Sequence, residues 1–368
     1  DLSTLNIPQR FWLTLGDRKL LIDQGCALSQ QILQEKLRKK NQEITVEEYL
    51  FEDYVVTDEQ GQGYTNEMVL PLKVTNPRQL RTDFEYAPPI KHFLGDDWVY
   101  FKIYCGVFTA EEMLKNYLTP IIDQLGANLQ KWFFIRYRDQ QGPHIRVRFK
   151  VNSLDATVFT AIHHGLEYHL RKGLIRLSFD TYEPEVLRYG GHETLEVCES
   201  VFWADSNALV QALQVLEQDK DQNREQYLIA LAMKNIDYLL QDFGLDLEQR
   251  MKFATSSAQA FAQEFKVGNV FKKRLGKTYR DYQQTLKTLG NAYDAIFDTR
   301  SAHLHPLVQQ LETLVAEKNS QKSKESLLQS LTHMSLNRLF DQLPRQQEYI
   351  TWDFLVQFYK RAFYTKAK

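Results

Sequence analysis

The sequence predicts an α+β protein: a ferredoxin-like split β-α-β sheet with a large helical bundle, preceded by a small strand-rich segment. Three observations carry this. Between residues 98 and 182 the strand and helix signals alternate in the order β-α-β-β-α-β. From residue 194 onward almost every stretch repeats its apolar residues at helical spacing. Before residue 76 the chain reads as short strands broken by turn residues, with one helix.

At 368 residues the chain is long enough for more than one domain and a large core. Its 43% hydrophobic and 25% charged residues are those of a globular protein. A formal net charge of -2 lends no support to direct nucleic-acid binding, which needs a basic field. Cys26, Cys105 and Cys198 are odd in number and far apart, which excludes a disulfide framework or a cysteine zinc site and points to a reducing compartment. No apolar run approaches the roughly eighteen residues of a membrane span, and no secretory signal opens the chain. The expected location is therefore the cytoplasm. The first residue is Asp1, not Met, so a fragment or a processed chain is expected.

Residues 10–16 (RFWLTLG) and 19–23 (KLLID) flank Gly16-Asp17 and predict a hairpin. Residues 29–40 predict a helix with a basic end, suited to its C-terminal dipole. Strands are expected at 47–56 and 67–74 around a Gly61/Gly63 turn, and the Pro-containing polar stretch 77–89 reads as a linker. The domain division is thus 1–76, a linker at 77–97, and 98–368, the last split into a sheet part (98–191) and a helical part (192–368).

Residues 98–104 form a strand on aromatic and β-branched content, with Trp98, Tyr100, Lys102 and Tyr104 on one face and Val99, Phe101 and Ile103 on the other. Thr109 to Glu112 has the pattern of a capping box, with helical apolar spacing after it. Residues 132–149 (WFFIRYRDQQGPHIRVRF) read as a hairpin with Gly142 and Pro143 in its turn. A helix over 154–172 and a strand over 174–182 close the sheet. The helices then cover the face bearing Ile145, Val147 and Phe149, leaving the opposite face open. Beyond it, helices are expected at 194–204, 206–219, 225–243, 247–265, 270–287, 304–318, 326–340 and 349–364, with an exposed loop of Lys, Ser and Gln over 318–325.

The candidate chemistry lies on the opened face. His144, Arg146 and Arg148 alternate onto one side of their strand, and two guanidiniums two residues apart repel unless an anion lies between them. Arg also binds carboxylate or phosphate in a bidentate way. An ordinary solvated strand with incidental charges has the same alternation. The loop DTYEPEVLRYGG at 180–191 concentrates Glu183, Glu185, Arg188, Tyr189 and the Gly190-Gly191 pair, a density that points to a site more than to the alternative, a strand-to-helix connection with surface charges. His333 and Asn337, four apart, share a helix face, where a lone histidine is more often structural. His303 and His305 flank one residue before Pro306, a weak metal signal without further ligands at suitable spacing. There is no phosphate loop, dinucleotide glycine pattern, HExxH or nucleophile elbow, and no cofactor or metal is assigned.

Assembled in order, WVYFKIYCG (98–106), FIRYRDQQGPHIRVRF (134–149), DTYEPEVLRYGG with FWADS (180–206) and THMSLNRLF (332–340) resemble the C-terminal elimination domain of class I lantibiotic dehydratases, also called the thiopeptide-type bacteriocin biosynthesis domain. Residues 8–74 look like the closing segment of the glutamylation domain that precedes it, so a naturally split or an excised C-terminal piece is implied. In that family Ser and Thr of a precursor peptide are esterified with glutamate from glutamyl-tRNA, and a second site expels the glutamate to leave dehydroalanine or dehydrobutyrine. The resemblance implies the second step for this chain, acting on a glutamylated precursor peptide. It also implies a separate or missing glutamylation domain that uses glutamyl-tRNA, and a homodimer.

Family site residues match Arg146, Arg148, Glu185, Arg188 and His333. Ser335 stands where many relatives carry a second His. Elimination needs a base for the Cα proton, donors for the developing enolate and a cationic pocket for the glutamyl group. His333 suits the base or acid; Arg146, Arg148 and Arg188 suit the anion, with Glu185 orienting an arginine. Lys102, His144 and Tyr189 are the expected substrate-binding neighbours. Two other readings remain: a pyridine-forming cycloaddition enzyme of thiopeptide pathways, which the same fold can host but whose relatives tend to lack the Arg/Arg strand, and a non-catalytic precursor-binding subunit, which would not need the charged residues.

Overall fold

The computed structural model describes residues 7–15, 18–38, 44–49, 56–64, 90–218, 223–317 and 319–366. The chain divides into two units, Asp1–Glu85 and Tyr86–Lys368.

In the first unit, β1 (Arg10–Leu15) and β2 (Arg18–Asp23) pair antiparallel and β3 (Thr45–Glu48) joins the other edge of β1. Phe11, Leu13 and Ile22 alternate onto the side covered by Leu33 of α1 (Ala27–Leu37). The expected strand over 47–56 is not continuous among the described residues. Its start belongs to β3, and its end begins β4 (Val56–Thr57), which pairs with β5 (Gly63–Tyr64) around Gly61 at φ +77°. The Gly16-Asp17 turn, the strand at 67–74 and the linker at 77–89 lie outside the described residues.

The second unit opens with β6 (Trp98–Tyr104), followed by α2 (Val107–Glu112), a π-helical turn (Met113–Leu118) and α3 (Thr119–Leu125). A 3-10 turn (Gly126–Asn128) leads to the long hairpin of β7 (Leu129–Asp139) and β8 (Gly142–Val151), then α4 (Ala156–Arg171) and β9 (Arg176–Asp180). The four strands are antiparallel in the order β7-β8-β6-β9. Among the described residues, a second 3-10 turn (Val186–Tyr189) precedes seven helices: α5 (His192–Gln218), α6 (Arg224–Asp242), α7 (Leu247–Glu264), α8 (Asn269–Thr288), α9 (Asn291–Ala316), α10 (Lys324–Leu339) and α11 (Pro344–Lys366).

Period-two alternation sorts the sheet into two faces. Val99, Phe101, Ile103, Ile145, Val147 and Phe149 pack under α3, α4 and the π turn against Met113, Leu114, Ile121, Val158 and Ile162. The other face is not open, as the sequence had implied. Trp98, Tyr100 and Phe133 are buried there in one core with Tyr182, Tyr189 and residues of the helical bundle. Edge strand β7 is covered as well: Phe134 N donates to Ser206 Oγ of α5 at 3.4 Å and Arg136 N to Asn337 Oδ1 of α10 at 3.1 Å. An edge that would otherwise offer bare N–H groups is thereby closed.

Four local expectations are corrected. Thr109 is inside α2, whose N-cap is the extended Gly106 without a side-chain cap, so no capping box forms there. Gly142, at φ +115°, and Pro143 begin β8, and Gln140-Gln141 make the turn. The helices expected at 194–204 and 206–219 are the single α5, because Asp205 points into buried partners instead of breaking the helix. Helix α9 starts at Asn291, thirteen residues before the expected position, and runs through Pro306.

Candidate functional site: a cationic face under an aromatic layer

Cross-strand pairing builds the site. Tyr100 of β6 lies opposite Arg148, Lys102 opposite Arg146 and Tyr104 opposite His144, while Phe133 of β7 lies opposite Arg148 and Tyr137 opposite His144. Like charges at Lys102 and Arg146 thus face each other directly, an arrangement that destabilises a sheet unless anions compensate it. Lys102 has one, Asp180 at 2.5 Å at the end of β9. Burial pushes the Lys102 ammonium down, but the Asp180 hydrogen bond and charge outweigh it and the net shift is upward.

Arg146 and Arg148 have no carboxylate partner among the described residues. The Arg146 guanidinium stacks on the Tyr137 ring at 3.5 Å and its Nε donates to His144 Nε2 at 3.2 Å. That bond needs an acceptor nitrogen, so His144 carries its proton on Nδ1 and donates to Gly142 O at 3.1 Å. Burial lowers the His144 pKa and keeps the ring neutral. With both nitrogens engaged and only 3% exposed, His144 acts on Arg146 and presents neither nitrogen to solvent.

Arg148 is the deeper of the two, 8% exposed. Its guanidinium lies 4.6 Å from the Tyr100 ring, 4.8 Å from Tyr182 and 5.3 Å from Phe133, a cage of three aromatic faces. Its Nε and Nη1 are buried without a hydrogen-bond partner. Desolvation lowers its pKa, yet an arginine stays charged. A buried cation with donors to spare is the arrangement an anionic ligand completes.

The 180–191 loop follows β9. Glu185 and Arg188 pair with each other at 3.0 Å on the exposed side, with Arg188 over the Tyr189 ring at 5.7 Å. Tyr189 is 3% exposed against Phe202 of α5, and burial pushes its hydroxyl up to about 12. Gly190 (φ +83°) and Gly191 (φ +121°) are required by geometry: a Cβ on Gly190 would lie 2.4 Å from Ser320 Oγ, where Gln321 N donates to Gly190 O at 2.7 Å. The Lys- and Ser-rich stretch before α10 is therefore tied to this loop.

His333 is on α10, half-buried, with Nδ1 2.9 Å from Glu348 Oε2 of α11. A carboxylate acceptor there leaves Nε2 available for a second partner. His333 has no hydrogen bond to the strand arginines; the structure groups Lys102, His144, Arg146 and Arg148 on the sheet, Glu185 with Arg188 on the loop, and His333 with Glu348 on the bundle. Beside His144, a cleft of about 700 Å³ runs between the hairpin and the α10–α11 connection, lined by Tyr137, Arg136, Asn337 and Gln346 among others.

Sequence reasoning missed the aromatic cage, Glu348 and a buried polar network. Asp205 accepts from Arg300 Nη1 (3.0 Å), Ser335 Oγ (3.0 Å) and Arg338 Nη1 (3.2 Å), and Asn235 donates to Ser335 at 2.8 Å. Ser335, the departure from the motif, is thus buried in this network. Tyr100 and Tyr182 were visible as aromatics beside charged motif residues, and Asp205 as the acid of FWADS; Glu348, fifteen residues from His333, gives no local signal. Among the described residues no cluster of His, Cys, Asp and Glu is placed to hold a metal, and no helix is long and apolar enough to cross a membrane.

Residues 98–359 match the family described as lantibiotic biosynthesis dehydratase, C-terminal. The chain is 29% identical over 360 residues to nisin biosynthesis protein NisB of Lactococcus lactis subsp. lactis, covering 92% of this chain and 34% of that protein. It is 26% identical over 357 residues to subtilin biosynthesis protein SpaB of Bacillus subtilis, covering 92% and 33%. It spans about a third of the length of these curated relatives. Among solved structures, the tRNA-dependent lantibiotic dehydratase MibB from Microbispora sp. 107891 superposes with a TM-score of 0.57 at 18% identity, over 98% of this chain and 37% of that one. The pyridine synthase TbtD of thiomuracin biosynthesis superposes with 0.52 at 15% identity, over 72% of this chain and 100% of that one. At these identities the likeness is one of fold.

Proposed function

This chain belongs to the lantibiotic biosynthesis dehydratase C-terminal family, and from that premise we propose that it expels glutamate from glutamylated Ser and Thr of a ribosomally made precursor peptide. In the reaction the Cα–H bond and the Cβ–O ester bond break, the Cα=Cβ bond forms, and glutamate leaves as its carboxylate. The single observation that supports this most is Arg148, a buried guanidinium whose Nε and Nη1 have no partner. Such a group suits the glutamyl carboxylate, and Arg146 and Arg188 extend the same positive potential to the leaving group. His333 takes the Cα proton, its Nδ1–H held by Glu348 so that Nε2 is the basic nitrogen. Glu185 orients Arg188, His144 orients Arg146, and Lys102 and Tyr189 help bind the substrate.

The strand order supports reading the sheet as a ferredoxin-like split β-α-β unit, with residues 98–368 as the elimination domain. Glutamylation from glutamyl-tRNA falls to a domain or partner beyond these residues, in the cytoplasm where charged tRNA is found, and the working unit is a homodimer. The pyridine-forming alternative shares the fold, but two carboxylate-seeking guanidiniums have no task in joining two dehydrated residues.

The test is mass spectrometry of a synthetic precursor bearing a glutamyl-Ser ester, incubated with this chain alone and then with a glutamylation protein and glutamyl-tRNA. Loss of the whole glutamate with formation of dehydroalanine is expected. Retention of the ester in both incubations would overturn the proposal.

A further inference from the structure

The geometry points to Glu199, acting through Tyr182, as the counter-charge and positioning residue of Arg148: it balances the buried guanidinium across an aromatic ring and so leaves the guanidinium N–H groups for an anionic ligand. A buried cation requires an opposite charge nearby. After burial and the nearer Tyr182, Tyr100 and Arg146, Glu199 is a carboxylate whose charge acts on Arg148, without a direct ion pair between them. Between them is Tyr182. Its ring lies against the Arg148 guanidinium at 4.8 Å and its hydroxyl donates to Glu199 Oε1 at 2.7 Å.

Tyr182 is fixed on every side. Its backbone forms a two-way bridge with His92, both bonds 2.9 Å, and its ring stacks on His92 at 5.6 Å and meets Trp98 edge-on at 5.2 Å. Glu199, on α5, is 5% exposed, and the charged or titratable groups that act on it are Tyr182, Lys131 of β7, and Lys150 and Arg148 of β8. Burial raises its pKa against the lowering effect of these neighbours. Were the carboxylate placed directly on Arg148 it would occupy the donor fork, and a ligand would have to displace it. One tyrosine away, it offsets the charge and leaves Nε and Nη1 unused.

The inference rests on the reading that Arg148 receives the glutamyl carboxylate, so the probe is glutarate, a dicarboxylate whose binding is measured by calorimetry independently of turnover. Removing the counter-charge with Glu199→Gln, which keeps an acceptor for Tyr182, is expected to tighten glutarate binding about tenfold, as for charges a tyrosine apart at an effective dielectric near 20. The wild type should converge on the variant as pH falls through the raised Glu199 pKa, because protonation removes the same charge. Tyr182→Phe keeps the ring on Arg148 but leaves the buried Glu199 carboxylate without its hydrogen bond, and is expected to lower both the melting temperature and, measured well below that temperature, kcat for elimination about tenfold. Equal glutarate affinity in wild type and Glu199→Gln, or no glutarate binding by either, would overturn the inference. Absence of elimination in a wild type whose glutarate binding responds to Glu199→Gln would overturn the elimination reading and leave this one standing.

Discussion

A guanidinium enclosed by Tyr100, Phe133 and Tyr182 is held by stacking, and stacking depends on the planar, delocalised shape of arginine. Lysine would keep the charge and lose both the stack and the fork. Arg148→Lys is therefore expected to lower kcat/KM for glutamate elimination by about 100-fold, roughly the cost of one lost transition-state donor set, as followed by release of free glutamate; a rate within twofold of wild type would show that charge alone suffices. Gly190 belongs to the same scale. Its φ of +83° and the 2.4 Å approach of Ser320 Oγ leave no room for a methyl group. Gly190→Ala should lower the unfolding free energy by about 1–3 kcal/mol, read from urea denaturation. His333 depends on Glu348 for its tautomer, and both come from helices that meet only in the folded chain.

Elements carry these residues into place. Strand β7 would be a bare edge without the bundle, and α5 and α10 each supply one side-chain acceptor to its N–H groups. Asn337, a helix-face neighbour of His333, thereby clamps α10 onto the sheet that bears the arginines. Asn337→Ala leaves the Arg136 N–H buried without an acceptor, with an expected loss of about 1–3 kcal/mol in equilibrium unfolding and a rise in KM for the glutamylated peptide. No loss of stability would mean that the edge is closed by packing alone. Asp205 acts similarly within α5: a polar residue that resembles a helix break in the sequence joins α5, α9 and α10 through Arg300, Ser335 and Arg338.

For the whole of the second unit, acid is expected to weaken the fold earlier than its carboxylates alone would require. Burial lowers the pKa of both His144 and His92. A histidine whose folded pKa lies below its unfolded value takes up a proton on unfolding, so its contribution is complete above about pH 6.5 and is lost as pH falls toward the folded value. Melting temperature should therefore fall between about pH 7 and pH 5, less steeply in His144→Gln than in wild type. Parallel curves would show that His144 stays neutral in both states. Asp180 and Asp139, whose pKa values are lowered in the fold, contribute their part at lower pH.

What the sequence determined by itself was whatever rests on local pattern. Strand β6 has the predicted bounds, the two faces of β8 sort as alternation requires, and the helical run after residue 192 follows its apolar spacing. The four motifs also identified the family, because their charged residues lie at fixed short spacings. Tertiary structure alone decided that the arginine face is covered and not open, that α5 continues through Asp205, and that Tyr182 and Glu199 complete the surroundings of Arg148. The physical reason is common to all three. Burial, stacking and counter-charge depend on distances between segments far apart in the chain, and those distances exist only once the bundle packs on the sheet.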